Sequence, residues 1–171
     1  MNSGRIRVVF DINVYVDAIS HQNSTFPYLS SVPPRTSNAA ADCLSLALDD
    51  EDFHLFVSPH ILLNITKVLR DGMNIKAEWV GAILTAFTEI VHGTEGSIVD
   101  PPRANHDQKD FEDNLILDLV RHTESLVLVT SDKELLKQNP WNGRLILSPR
   151  EFVEQIVRAR QVGKNTGKKS E

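Results

Sequence analysis

The sequence predicts a single α/β domain of three layers, a central parallel sheet flanked by helices. Short runs of β-formers, Val8-Val9-Phe10 and Leu126-Val127-Leu128-Val129 among them, alternate with helical stretches, the pattern that right-handed crossover connections produce. Two of these runs are followed by an acid at the carboxyl end, Asp11 directly and Asp132 after Thr130-Ser131, and in open α/β sheets ligands gather beyond the carboxyl ends of the strands. With 171 residues, 41% hydrophobic and 24% charged, the chain is long enough for one well-buried core and has the balance of a globular protein.

Residues 5 to 10 read as a buried strand, and Asn13 through Ile19 as the helix that follows it. Residues 20 to 38 are rich in Ser, Asn and Pro and exceed an ordinary connector, which leaves a flap or a mobile loop open as readings. Thr36-Ser37-Asn38 offers caps for a helix over 39–48, and Phe53 to Val57 forms the next strand. Ser58-Pro59 is a helix start, followed by the stripe Ile61, Ile65, Val68 and Leu69 as far as Gly72, with Asn64 set unusually among apolar positions. A further helix spans about 75 to 91 and carries Trp79, Ile83, Leu84, Phe87 and Ile90.

The polar stretch 93–109, with a short strand candidate at 97–99, leads into Asp110-Phe111-Glu112-Asp113-Asn114, which opens an acid-rich helix turn. In that helix Asp113 borders the apolar face, whereas spacing puts Asp118 with Arg121 and His122 on the wet side. After the strand at 126–129, Lys133 to Gln138 is a short helix, Arg144 to Leu147 a last strand, and Ser148-Pro149 the start of a last helix with Phe152, Val153, Ile156 and Val157 inward. The globular domain is thereby assigned to residues 1–157. Residues 158–171, with Arg158, Arg160, Lys164, Lys168 and Lys169, are assigned to a basic flexible tail.

Composition removes several classes of function. One cysteine, Cys43, allows no intrachain disulfide and no cysteine cluster, and six scattered histidines lack the spacing of a zinc helix. No apolar run is long enough to span a bilayer and no signal-peptide pattern precedes Asp11, so a cytoplasmic address is the expectation. A net charge of -5 disfavours gripping nucleic acid by charge alone. It leaves open a nuclease whose carboxylates hold cations that in turn bind phosphate.

Asp11, Asp113 and Asp132 are therefore the candidate catalytic and metal-holding residues. Carboxylates converging without a basic partner repel one another, and a hard divalent cation such as Mg²⁺ relieves the repulsion through oxygen ligands while keeping waters of its own. The chemistry implied is hydrolysis of a phosphodiester by an activated water, with no protein nucleophile. The plainer alternative is that Asp11 and Asp132 are turn or cap residues, since Asp favours strand-to-helix junctions for its own sake; Asn13, Thr130 and Ser131 suit capping as well.

The segments Val8-Val9-Phe10-Asp11-Ile12-Asn13-Val14, Val57-Ser58-Pro59-His60-Ile61-Leu62, Asp110 to Asn114, Leu128 to Leu136 and Ile146 to Phe152, in this order and spacing, resemble the bacterial toxin-like branch of the PIN-domain family as far as about residue 157. The resemblance implies a compact fold on a parallel sheet, dependence on Mg²⁺ or Mn²⁺, and endonucleolytic cutting of single-stranded RNA. It also implies a homodimer and, for a toxin, an antitoxin protein that blocks the site. It makes Asp11, Asp113 and Asp132 the metal-holding acids and Asn13 and Ser131 the residues that orient them. The chain departs from the pattern at Ile12, where the family has Thr or Ser, and at Asn64, where it has an acid. An amide ligates weakly through its carbonyl and brings no charge, so the alternative is a PIN module that binds RNA or a protein partner without cutting. A phosphatase of the haloacid-dehalogenase kind needs an acid where Asn13 stands.

Overall fold

A computed structural model of the chain describes residues 4–20, 36–49 and 52–167, so most of the long polar loop expected at 20–38 lies outside the described residues. Its elements are β1 (Ile6–Phe10), α1 (Ile12–Ser20), α2 (Ala39–Leu48), β2 (Phe53–Phe56), α3 (Pro59–Lys67), α4 (Ala77–Gly93), α5 (Phe111–His122), β3 (Val127–Val129), α6 (Lys133–Leu136), β4 (Leu145–Leu147) and α7 (Pro149–Gly167). Helix α3 runs into a wider π turn, Val68–Gly72, that completes the expected helix to Gly72. No helix among the described residues is long and apolar enough to cross a membrane.

All four strands are parallel, in the order β2-β1-β3-β4. They are short and almost wholly apolar because both faces of the sheet are covered: Val8, Val9, Phe10, Leu55, Val127, Leu128 and Val129 are all buried. Helix α2 packs against both α1 and α7. Between that layer and the sheet, Phe10, Phe53 and Phe152 interlock edge-on or tilted, with ring centroids 5.2–5.8 Å apart. On the edge next to β2, Val57 bridges in parallel to Ile98, so the strand foreseen at 97–99 contributes one bridge. Gly96 makes this possible, because a Cβ there would lie 1.7 Å from the carbonyl oxygen of Leu55.

The order places β2 on one side of β1 and β3 on the other, so the chain reverses direction across the sheet between β1 and β3. Such a switch point opens a crevice at the carboxyl ends of the two strands. Asp11 and the segment 130–132 stand at its mouth.

Two expectations are corrected, and one boundary lies further on: α7 continues past residue 157 to Gly167, and Arg160 reaches back to α2 and the turn after it, its guanidinium paired with Asp49 at 3.1 Å and with Asp52. A basic, Gly-containing stretch thus gains two acidic anchors that lie 108 and 111 residues away in sequence. Asp118 is not on the wet side. It is buried, and its Oδ1 accepts from the Ala104 amide (3.1 Å), the Asn105 amide (2.7 Å) and Asn105 Nδ2 (2.6 Å), because the segment before α5 folds onto that face of the helix. Trp79, placed among the apolar residues of α4, turns outward at 59% exposure while Val80, Ile83 and Phe87 make the inner face.

Candidate functional site at the switch point

Asp11 follows β1 directly, and its amide continues the ladder by donating to the Val129 carbonyl at 2.9 Å. Its side chain is buried at 5% exposure, and both oxygens are occupied. Oδ1 accepts from the Ile12 amide (2.7 Å), while Oδ2 accepts from the Thr130 hydroxyl (2.6 Å) and Asn13 Nδ2 (3.2 Å). Burial pushes the carboxyl above its ordinary range; those three hydrogen bonds oppose the shift, and the charge of Asp132 adds to it.

Register identifies the partner across the sheet. Phe10 pairs with Val129, so the residue opposite Asp11 is Thr130, and Asp132 lies two residues further along. The Thr130 hydroxyl is fully buried and works in three directions: it donates to Asp11, and it accepts from Asn13 Nδ2 (3.3 Å) and from the Asp132 amide (3.0 Å). Asn13 completes the tie by accepting from the Ser131 amide at 3.0 Å. Asn13 and Thr130 therefore fix the ends of β1 and β3 to each other, and Ser131 takes part through its backbone while its side chain is exposed.

Asp132 is the N-cap of α6, its Oδ1 accepting from the Glu134 (2.8 Å) and Leu135 (3.1 Å) amides. The capping reading is correct for this residue, and it leaves one carboxylate oxygen outside the cap. Asp113 sits half-buried in the first turn of α5, after Asp110, which caps that helix through the Glu112 amide. The Asp113 carboxyl is pushed up to about 6, first by partial burial and then by the charges of Asp132, Asp110, Asp11 and Glu112. Asp11, Asp113 and Asp132 thus act on one another electrostatically.

On α3, Asn64 spends its amide hydrogens on neighbours: Nδ2 donates to His60 Nε2 (2.9 Å) and to Glu112 Oε1 (3.3 Å). The position where the resemblance expects an acid is thus joined to an acid from α5. The sequence marks Thr130 only as a cap and gives His60 no role. The signal for Thr130 was available, since it follows the apolar run of β3 as Asp11 follows that of β1. No sequence signal paired Asn64 with Glu112.

The donors gathered here are all oxygens, their repulsion is the kind a divalent cation relieves, and the set fits a hard metal ion by its chemistry. Among the described residues, however, no three His, Cys, Asp or Glu side chains already stand in an arrangement that would hold one. Beside the site, Asp17, Ser37, Asn38, Ser131, Ser148 and Arg150 are among the residues lining a pocket of about 430 Å³.

A family model described as PIN domain matches residues 7–134, which takes in β1 through the start of α6 and every candidate acid. No curated protein matches the chain. PIN domains are generally nucleases, hydrolases that typically use divalent metals, and the four-stranded parallel sheet flanked by helices is consistent with such a domain. By the extent of that match, the chain belongs to the PIN-domain family.

Proposed function

We propose that this protein is a divalent-cation-dependent endoribonuclease that cuts single-stranded RNA at Asp11, Asp113 and Asp132, with Mg²⁺ or Mn²⁺ as the cation. The observation that supports the reading is the gathering of these carboxylates at the switch point, where partial burial first, and then the charges of Asp132, Asp110, Asp11 and Glu112, push the Asp113 carboxyl up to about 6. A cation held there supplies Lewis acidity to a water and neutralises charge on the phosphodiester. The chain's own part is positioning. Asp11 is held by the Ile12 amide, Asn13 and Thr130, so its carboxylate cannot swing away to solvent. Asp132 is fixed through its cap, and Glu112, drawn toward Asn64, brings a further carboxylate to the side where the family pattern has its own.

The test is cleavage of an unstructured single-stranded RNA with Mg²⁺ or Mn²⁺, by the native chain beside Asp11→Asn. Cleavage by the native chain, abolished by chelation and by Asp11→Asn, is expected; equal cleavage by both proteins overturns the proposal. Within the same reading, the chain acts as the toxin of a toxin–antitoxin pair and as a homodimer. Expression alone would then arrest growth of a bacterial host, and the Asp11→Asn chain would not.

A second reading is a PIN module that binds RNA or a protein partner without cutting. It is favoured by Asn64, an amide already engaged with His60 and Glu112, and by the lack of a ready cation-holding triad among the described residues. Full RNA binding without turnover, and without measurable uptake of Mn²⁺, would select it.

A further inference from the structure

Phe111 is the first residue of α5, two before Asp113, and its ring is 56% exposed. The core does not use it: the apolar face of α5 is made by Ile116, Leu117, Leu119 and Val120. The guanidinium of Arg103 lies over the ring, 5.1 Å from its centroid. The ring and the guanidinium thus present a flat, partly cationic surface to solvent at the start of α5.

The segment that carries Arg103 is held firmly. Asp118 accepts from the Ala104 and Asn105 amides. Asn114 accepts from the Gln108 amide (3.1 Å) and donates to the Gln108 carbonyl (3.3 Å). Both clamps project from α5, the helix that carries Phe111 and Asp113. The segment next to Arg103 and the helix that carries the ring and the acid therefore form one frame, with Phe111 and Asp113 both in the first turn of α5.

We propose that Phe111 and Arg103 form a stacking platform for an unpaired base of the RNA strand, next to the bond cut at the acids. A flat aromatic and a guanidinium plane accept any base by its π-face, which gives preference for single strands without reading sequence, and Arg103 adds attraction for the backbone. A paired base, buried in a duplex, cannot reach the ring. This inference rests on the ribonuclease reading, to which it adds the feature of substrate that is recognised.

The experiment uses a short unstructured RNA carrying 2-aminopurine at each position in turn, bound to the full chain in the Asp11→Asn background so that the strand stays intact. Fluorescence should be quenched at one position. Phe111→Ala should abolish that quenching and weaken binding about tenfold, within the range of losing one stacked base. Phe111→Trp should restore both, and Arg103→Ala should fall between them. The same sequence as DNA separates a platform for any unpaired strand, bound alike, from one that also needs the ribose hydroxyls. If Phe111→Ala binds and quenches as its parent does while the chain with Asp11 intact still cleaves RNA, the platform is overturned and the ribonuclease reading stands. If the RNA is neither bound nor cut, both fall.

Discussion

Replacing Thr130 by Val tests the role of the hydroxyl at the switch point, because the two side chains have nearly the same shape and differ in that one group. The hydroxyl donates to Asp11 Oδ2 at 2.6 Å and accepts from the Asp132 amide at 3.0 Å, inside a fully buried position. A hydrogen bond to a charged group contributes roughly 1.5–3 kcal/mol, and an amide robbed of its acceptor adds about 1 kcal/mol, so the variant should lose about 3 kcal/mol of stability. At a urea slope of about 2 kcal/mol per molar, the unfolding midpoint falls by about 1.5 M. Thr130→Ser keeps the hydroxyl and removes one methyl, for about 1 kcal/mol. Because the lost bond favours the ionised carboxylate, Thr130→Val also raises the Asp11 carboxyl beyond the elevation that burial already causes. The deficit should therefore be least in acid, where Asp11 is protonated in both proteins, and grow as the pH rises through its folded pKa. Equal midpoints for the Val and Ser variants at neutral pH, within about 0.5 kcal/mol, would refute the role assigned to the hydroxyl.

Asp113, pushed up to about 6 against an unfolded value near 3.8, binds its proton more tightly when folded. In the cation-free protein its contribution to stability is therefore greatest below the unfolded pKa and declines as the pH rises from about 4 to 6; carboxyl NMR should place its titration near 6 and show it move down in Asp132→Asn. Added Mg²⁺ or Mn²⁺ should shift the same titration downward, and an unmoved titration at saturating cation would count against metal at this site. Asn64→Glu sets a second carboxylate against Glu112, so calorimetry should find tighter Mn²⁺ binding while the cation-free protein melts earlier. Arg150→Met strips the cation from Asp42, which is 2% exposed, leaving it, among the described residues, the amide and hydroxyl of Thr36 as donors. Urea unfolding should show a loss of about 2–3 kcal/mol, below the usual cost of breaking a buried pair because Thr36 remains and Arg150 is partly solvated.

Features that depend on near neighbours are legible along the chain. Strands, helices and the caps at Asn38, Ser58, Asp110 and Asp132 rest on residues a few positions apart, so apolar spacing and capping chemistry reveal them, and Asp11 and Asp132 at strand ends already point to a site. Tertiary structure alone decided what depends on register and on long loops. It set Thr130, not Asp132, opposite Asp11, since one residue of register exchanges every partner across a sheet. It joined Asn64 to Glu112, 48 residues apart, and buried Asp118 under residues 104 and 105. It also carried α7 through a basic stretch by pairing Arg160 with Asp49 and Asp52. A carboxylate or a guanidinium takes its character from whatever the fold brings within a few ångströms, and distance along the chain holds no record of that.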